Sequence, residues 1–150
     1  MAAKGLFIAM SASAALLGCA HHFEHHHGHG GARTPKALEC AAGTKCEAWI
    51  GVECGFACAA RVNFEVIVLP ARSERTITWM LDKDAAGAGF RFAPEAIVFD
   101  RKAFKCSVLE GGLFARCEKI EGGFGVFKYT VRVEGPRPVP PLDPWVVSEF

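Results

Sequence analysis

A small antiparallel β-sandwich with disulfides, immunoglobulin-like in outline, is the fold class that this sequence predicts for residues 34–150. Three observations lead to it. Apolar residues recur at every second position in short runs, glycine and proline separate those runs, and no stretch of ten residues beyond position 33 carries a helical stripe. A small closed barrel is the competing architecture.

The strands can be taken in chain order. The first plausible one follows Pro35, and a second covers residues 48–52. Residues 62–69 begin in strict alternation (Val62, Phe64, Val66, Val68) and end apolar on both faces, which reads as one run. Residues 75–81 follow after a turn at 70–73. Shorter runs stand at 89–92, 96–99, 104–109 and 113–118, with turns at 84–89, Gly111-Gly112 and Gly122-Gly123 between or after them. Residues 127–134 give the cleanest period of two. Phe127, Tyr129, Val131 and Val133 face one side there, and Lys128, Thr130, Arg132 and Glu134 face the other. Beyond them, Gly135 to Trp145 holds five prolines and predicts an extended, stiff segment. It reads as a strap returning Trp145-Val146-Val147 to a sheet edge, with a polyproline ligand as the alternative.

Seven cysteines lie at positions 19, 40, 46, 54, 58, 106 and 117. A two-residue turn at Gly111-Gly112 places Cys106 directly opposite Cys117, at a hydrogen-bonded pair with Cα atoms about 5.5 Å apart. That spacing is within disulfide range. Cys40, Cys46, Cys54 and Cys58 allow three pairings that the sequence does not separate. In an oxidising compartment disulfides are favoured over zinc for this cluster.

The first residues have a separate character. Met1-Ala-Ala-Lys4 is a charged start, and Gly5 to Gly18 is an apolar run too short for a bilayer span of about 20 residues. It has the length of a secretory signal helix. The run ends in Leu16-Leu17-Gly18-Cys19, and with this box the chain resembles bacterial lipoproteins. The resemblance implies a signal peptide at 1–18, cleavage before Cys19, and lipidation of that cysteine. Ala20, where an Asp would mark inner-membrane retention, implies an outer-membrane anchor facing the periplasm. Ordinary secretory cleavage after Ala20 is the alternative. Removing Cys19 leaves six cysteines, an even number that reads as three disulfides.

Residues 19–33 carry every histidine in the chain: His21, His22, His25, His26, His27 and His29. Glycines at 28, 30 and 31 and the absence of a hydrophobic period predict a disordered tether. Its fourteen residues after Cys19 would hold the domain a root-mean-square distance of roughly 20 Å from an anchor. Neutral imidazoles at this density are ligands for Cu(II), Ni(II) or Zn(II), so the tract is a candidate metal buffer, with Glu24 able to add an oxygen. A polar spacer is the plainer reading. Mild acid would make the tether cationic, since imidazole titrates near pH ~6.5.

The residue inventory restricts function. A net charge of +1 gives no electrostatic case for nucleic acid. Residues 34–150 contain no histidine and no glutamine, one asparagine (Asn63) and three serines (Ser73, Ser107, Ser148). Blue-copper ligation, Ser-His-Asp catalysis and Cys-His catalysis therefore lack their parts. Asp82-Lys-Asp84 lacks calcium-loop spacing and reads as a turn. Cys54-Gly-Phe-Ala-Cys58 is not the redox Cys-x-x-Cys spacing. Trp49, Trp79 and Trp145 read as packing residues rather than sugar platforms. The 128–131 strand and the Leu142-Asp-Pro-Trp-Val146 ending resemble small exported bacterial β-domains of unassigned function, which implies a β-domain and no activity.

The sequence thus leads to a lipid-anchored envelope protein with a non-enzymatic role in protein interaction or envelope structure. No cofactor is required, and metal binding by the tether is the alternative.

Overall fold

The computed structural model describes residues 36–71, 75–120 and 123–149. Cys19 and the histidines from His21 to His29 lie outside the described residues. The described residues form two five-stranded sheets and one short helix. Strands β1 (Ala37–Glu39), β4 (Val66–Leu69), β6 (Arg91–Phe99), β9 (Gly125–Glu134) and β10 (Trp145–Ser148) make the first sheet, in the order β1-β4-β10-β9-β6. Strands β2 (Cys46–Cys54), β3 (Cys58–Val62), β5 (Thr76–Leu81), β7 (Phe104–Leu109) and β8 (Phe114–Lys119) make the second, in the order β3-β2-β5-β8-β7.

The β-sandwich and its disulfides are as the sequence predicts, and the pairing adds a refinement. Five ladders are antiparallel, but β4 pairs parallel with both β1 and β10, and β2 pairs parallel with β5. Parallel neighbours cannot be joined by a tight hairpin. Here the chain changes sheet between them: after β3 it enters the first sheet as β4 and returns to the second as β5.

That change of sheet falls inside the run at 62–69, of which only Val62 belongs to β3; the rest of that strand, residues 58–61, lies outside every run read from the sequence. Strand β3 ends at Val62, strand β4 starts at Val66, and Asn63-Phe64-Glu65 make the corner. The Asn63 amide replaces a strand partner at this point. Trp49 N donates to Asn63 Oδ1 at 2.8 Å, and Asn63 N donates to Trp49 O at 3.1 Å. Conversely, the runs at 89–92 and 96–99 are one strand, β6. Its register against β9 jumps between Phe92 and Ile97, a bulge that accommodates Pro94 and its missing N–H. The turn expected at 84–89 begins as a short helix, α1 (Lys83–Gly87), started by Asp82, whose Oδ1 accepts from Ala85 N at 2.7 Å.

The core lies between the sheets. Trp79 on β5 is fully buried and meets Tyr129 on β9 with ring centroids 5.2 Å apart. Its Nε1 donates to Tyr129 Oη at 3.2 Å. Phe99 packs on Tyr129 at 5.4 Å and stacks on Phe104 at 4.0 Å, and Phe104 meets Phe127 edge-on. The Trp79–Tyr129, Phe99–Phe104 and Phe104–Phe127 contacts cross from one sheet to the other, while Phe99 and Tyr129 are neighbours within the first sheet. Burial alternates along β9 as its sequence pattern requires, with Phe127, Tyr129, Val131 and Val133 all buried.

One glycine is fixed by close packing. A Cβ on Gly135 would stand 2.2 Å from Cδ1 and 2.6 Å from Cε1 of Phe90, whose ring is buried. Gly135→Ala is therefore expected to destabilise the domain by roughly 1–3 kcal/mol, because the added atom overlaps a buried ring that must shift within the core. Gly87→Ala is the matched control, since nothing lies within 4 Å of the added atom. Urea titration should leave its midpoint unchanged or raised while lowering that of Gly135→Ala.

Candidate interaction surface

The six cysteines at 40–117 pair as Cys40–Cys46, Cys54–Cys58 and Cys106–Cys117. Cys40 follows β1 of the first sheet and Cys46 opens β2 of the second, so this bridge links the sheets. The other two close hairpins. Cys106 stands opposite Cys117 as the turn symmetry requires, yet their Cα atoms are 4.0 Å apart. The expected hydrogen-bonded spacing of about 5.5 Å is not found; the distance is nearer that of a non-hydrogen-bonded pair, about 4.5 Å. The reason lies in the turn. Glu110, Gly111 and Gly112 all have positive φ, and the ladder closes at Leu109–Phe114, so the reversal occupies four residues. The two turn lengths share a centre, which keeps the register and shifts the alternation of bonded pairs by one.

Aspartates 82 and 84 belong to the α1 cap and first turn, with Asp82 over Gly51. Among the described residues no group of three or more His, Cys, Asp or Glu side chains is placed to hold a metal ion. Trp79 is core, whereas Trp49 and Trp145 are each 44% exposed. Burial holds the Tyr129 hydroxyl well above the ordinary phenol range, so this group stays neutral and serves packing.

The proline segment leads somewhere other than an edge. Leu142 bridges Val131, and β10 enters the sheet between β4 and β9, so Trp145–Ser148 is an interior strand. The register places Val66 and Lys128 on either side of Trp145, and Val68 and Val126 on either side of Val147. Asp143 anchors the approach: Lys128 Nζ donates to its Oδ2 at 3.0 Å and Thr130 Oγ1 to its Oδ1 at 2.9 Å. These hydrogen bonds, from Lys128 first and Thr130 second, hold the Asp143 carboxyl below its ordinary value of 3.8. A depressed carboxylate pKa contributes stability that is complete above 3.8 and is lost as pH falls through the lowered value. A carboxyl NMR titration should accordingly place its midpoint below 3.8. The stabilities of wild type and Asp143→Asn should converge as acid is added.

Earlier in the same segment, Arg137 reaches across to the β2–β3 hairpin. Its Nη1 donates to Gly55 O at 3.0 Å and its Nη2 to Phe56 O at 2.7 Å. The hairpin has three loop residues, Gly55, Phe56 and Ala57, closed by the directly opposed Cys54 and Cys58. Gly55 N donates to Ala57 O at 3.0 Å within it. At its tip the Phe56 side chain is 105% exposed, as open to solvent as in an extended peptide. Beside it, Pro138, Val139 and Pro140 line a shallow groove of about 460 Å³. Glu53 and Arg61, paired at 2.6 Å, stand further down the hairpin.

Reading the cysteine spacing for redox chemistry passes over this loop. The available signal was size: three residues inside a disulfide leave a large side chain no path back to the core. No protein-family model matches the chain, and no curated protein matches it.

Proposed function

We propose that this chain is a lipid-anchored protein of the bacterial cell envelope, outer-membrane in location and facing the periplasm, whose domain binds another envelope protein and catalyses no reaction. The cysteine arrangement carries the proposal. Six of the seven cysteines pair with one another in the domain, and the seventh, Cys19, closes the Leu16-Leu17-Gly18-Cys19 box. Three disulfides suit an oxidising compartment, and an odd cysteine at such a box suits lipid attachment. The non-catalytic part rests on the inventory of residues 34–150, which holds no histidine to act as a base.

Intact-mass measurement on protein purified from envelope membranes tests this reading. The expected species starts at Cys19, carries diacylglyceryl and acyl groups there, and lacks six hydrogens through its three disulfides. An unlipidated chain with free thiols overturns it.

The tract His21, His22, His25, His26, His27 and His29 supports a second reading, in which the tether buffers or donates a transition metal such as Cu, Ni or Zn. Changing all six histidines to Ser should then lower metal tolerance in cells while leaving partner binding intact. Equal tolerance would remove this reading.

A further inference from the structure

We propose that the Cys54–Cys58 loop is a rigid knob that seats Phe56 in an aromatic-sized apolar pocket of a partner protein, with a carboxylate at the pocket rim facing Arg137. The inference deepens the interaction reading above and rests on it.

Phe56 contributes nothing to the core, since its side chain is wholly exposed. A lone exposed aromatic is ordinary on a mobile surface. This one is held in place. The disulfide closes the loop at its base, Gly55 N is bonded to Ala57 O, and Arg137 fixes the carbonyls of Gly55 and Phe56. Two consequences favour binding. The ring is presented in one backbone geometry, so little ordering entropy remains to be lost on association. The carbonyls already have donors, so water can be removed from the loop without stranding them.

Charge indicates the partner's chemistry. Among the described residues no carboxylate lies within ion-pair range of Arg137, although its guanidinium is held at the backbone carbonyls of Gly55 and Phe56, at the base of the exposed ring's residue. Aromatic and arginine side chains together are the usual energetic centre of a protein interface. A bilayer is the poorer occupant. It is fluid and gains nothing from a fixed loop geometry, and the residues flanking Phe56 are only Gly55 and Ala57. The adjoining groove of Pro138, Val139 and Pro140 gives the partner a concave surface beside the knob.

The test places a photocrosslinking benzophenone analogue of phenylalanine at position 56 of the full chain in cells, with Glu95, Trp49 and Trp145 as comparison positions. The expected result is a defined protein adduct at 56 that is absent at 95. That protein, purified, should bind the wild-type chain and bind Phe56→Ala at least about 30-fold more weakly. Phe56→Ala should melt as wild type does, because the removed side chain is solvent-exposed. Absence of a protein adduct at 56, adducts with lipid alone, or equal binding of Phe56→Ala would overturn the proposal. Specific protein adducts at 49 or 145 with none at 56 would leave the interaction reading standing and remove this site. A lack of protein adducts at every position would remove both.

Discussion

Truncating the chain after Pro144 is expected to abolish folding, although it removes only six residues. Strand β10 is hydrogen-bonded on both sides, to β4 from Val66 to Leu69 and to β9 from Gly125 to Lys128. Without it, β1 and β4 lose their only lateral connection to the rest of their sheet. Val146 is completely buried and Ser148 nearly so, and burial of one valine is worth roughly 1.5–3 kcal/mol. The larger loss is the ladder. Each buried backbone N–H or C=O on β4 and β9 left without a partner costs about 1–3 kcal/mol. Several such groups together are comparable with the 5–15 kcal/mol that typically separates folded from unfolded domains. Far-UV circular dichroism and thermal melting of the truncated chain should therefore show no cooperative transition. A transition within a few degrees of wild type would mean that β10 adds onto a sheet already stable without it. Trp145→Ala is the contrasting variant: its half-exposed side chain should cost far less than the strand that bears it.

The position of β10 also marks the limit of what is legible in the sequence. Alternation, turn residues and absence of helical periodicity are local properties, and they locate nearly every strand. They do not say which strands become neighbours. Trp145-Val146-Val147 after a proline-rich segment suggests an edge strand, because proline avoids sheet interiors. Here the prolines precede the strand, and from residue 145 onward backbone donors are available for an interior position. The corner at Asn63 was hidden for another reason. Val62, Phe64 and Val66 alternate without interruption, so only the hydrogen bonds between Asn63 and Trp49 reveal that the chain leaves the ladder there. Parallel pairing of β2 with β5 depends on that same departure.

The hairpin at Cys106–Cys117 was legible because both of its determinants are local. Glycines at 111 and 112 permit positive φ, and counting outward from them fixes the register. The knob at Phe56 was not legible as a surface. Its loop conformation depends on Arg137, more than eighty positions away, and no periodicity connects the two. Cysteine spacing located the loop and its disulfide, but the tertiary contact from Arg137 that fixes its carbonyls left no local signal.

Reduction of all three disulfides should unfold the domain, and the bridges should open in a fixed order. The bridges span sequence separations of 4, 6 and 11 residues, and the segments they close do not overlap, so their loop-closure contributions are close to independent. Chain-entropy estimates give about 2 kcal/mol for each of the two shorter loops and about 3 kcal/mol for the longest. Together they supply about 7 kcal/mol, which is comparable with the whole stability of a domain this size. Access determines the order. Cys54 is exposed, Cys106 is partly covered and its partner Cys117 is buried, while Cys40 and Cys46 are 1% and 2% exposed. A thiolate must reach a sulfur to displace it, so the Cys54–Cys58 bridge should yield first under mild reductant. Timed alkylation followed by mass mapping should find label at positions 54 and 58 before 106 and 117, and at 40 and 46 last. The first step should lower stability by only about 2 kcal/mol while releasing the loop that holds Phe56. The final step severs the bridge that links the two sheets, and cooperative unfolding should coincide with it. Simultaneous labelling of all six cysteines would indicate instead that global unfolding precedes reduction, and would assign the domain's stability chiefly to its core rather than to its bridges.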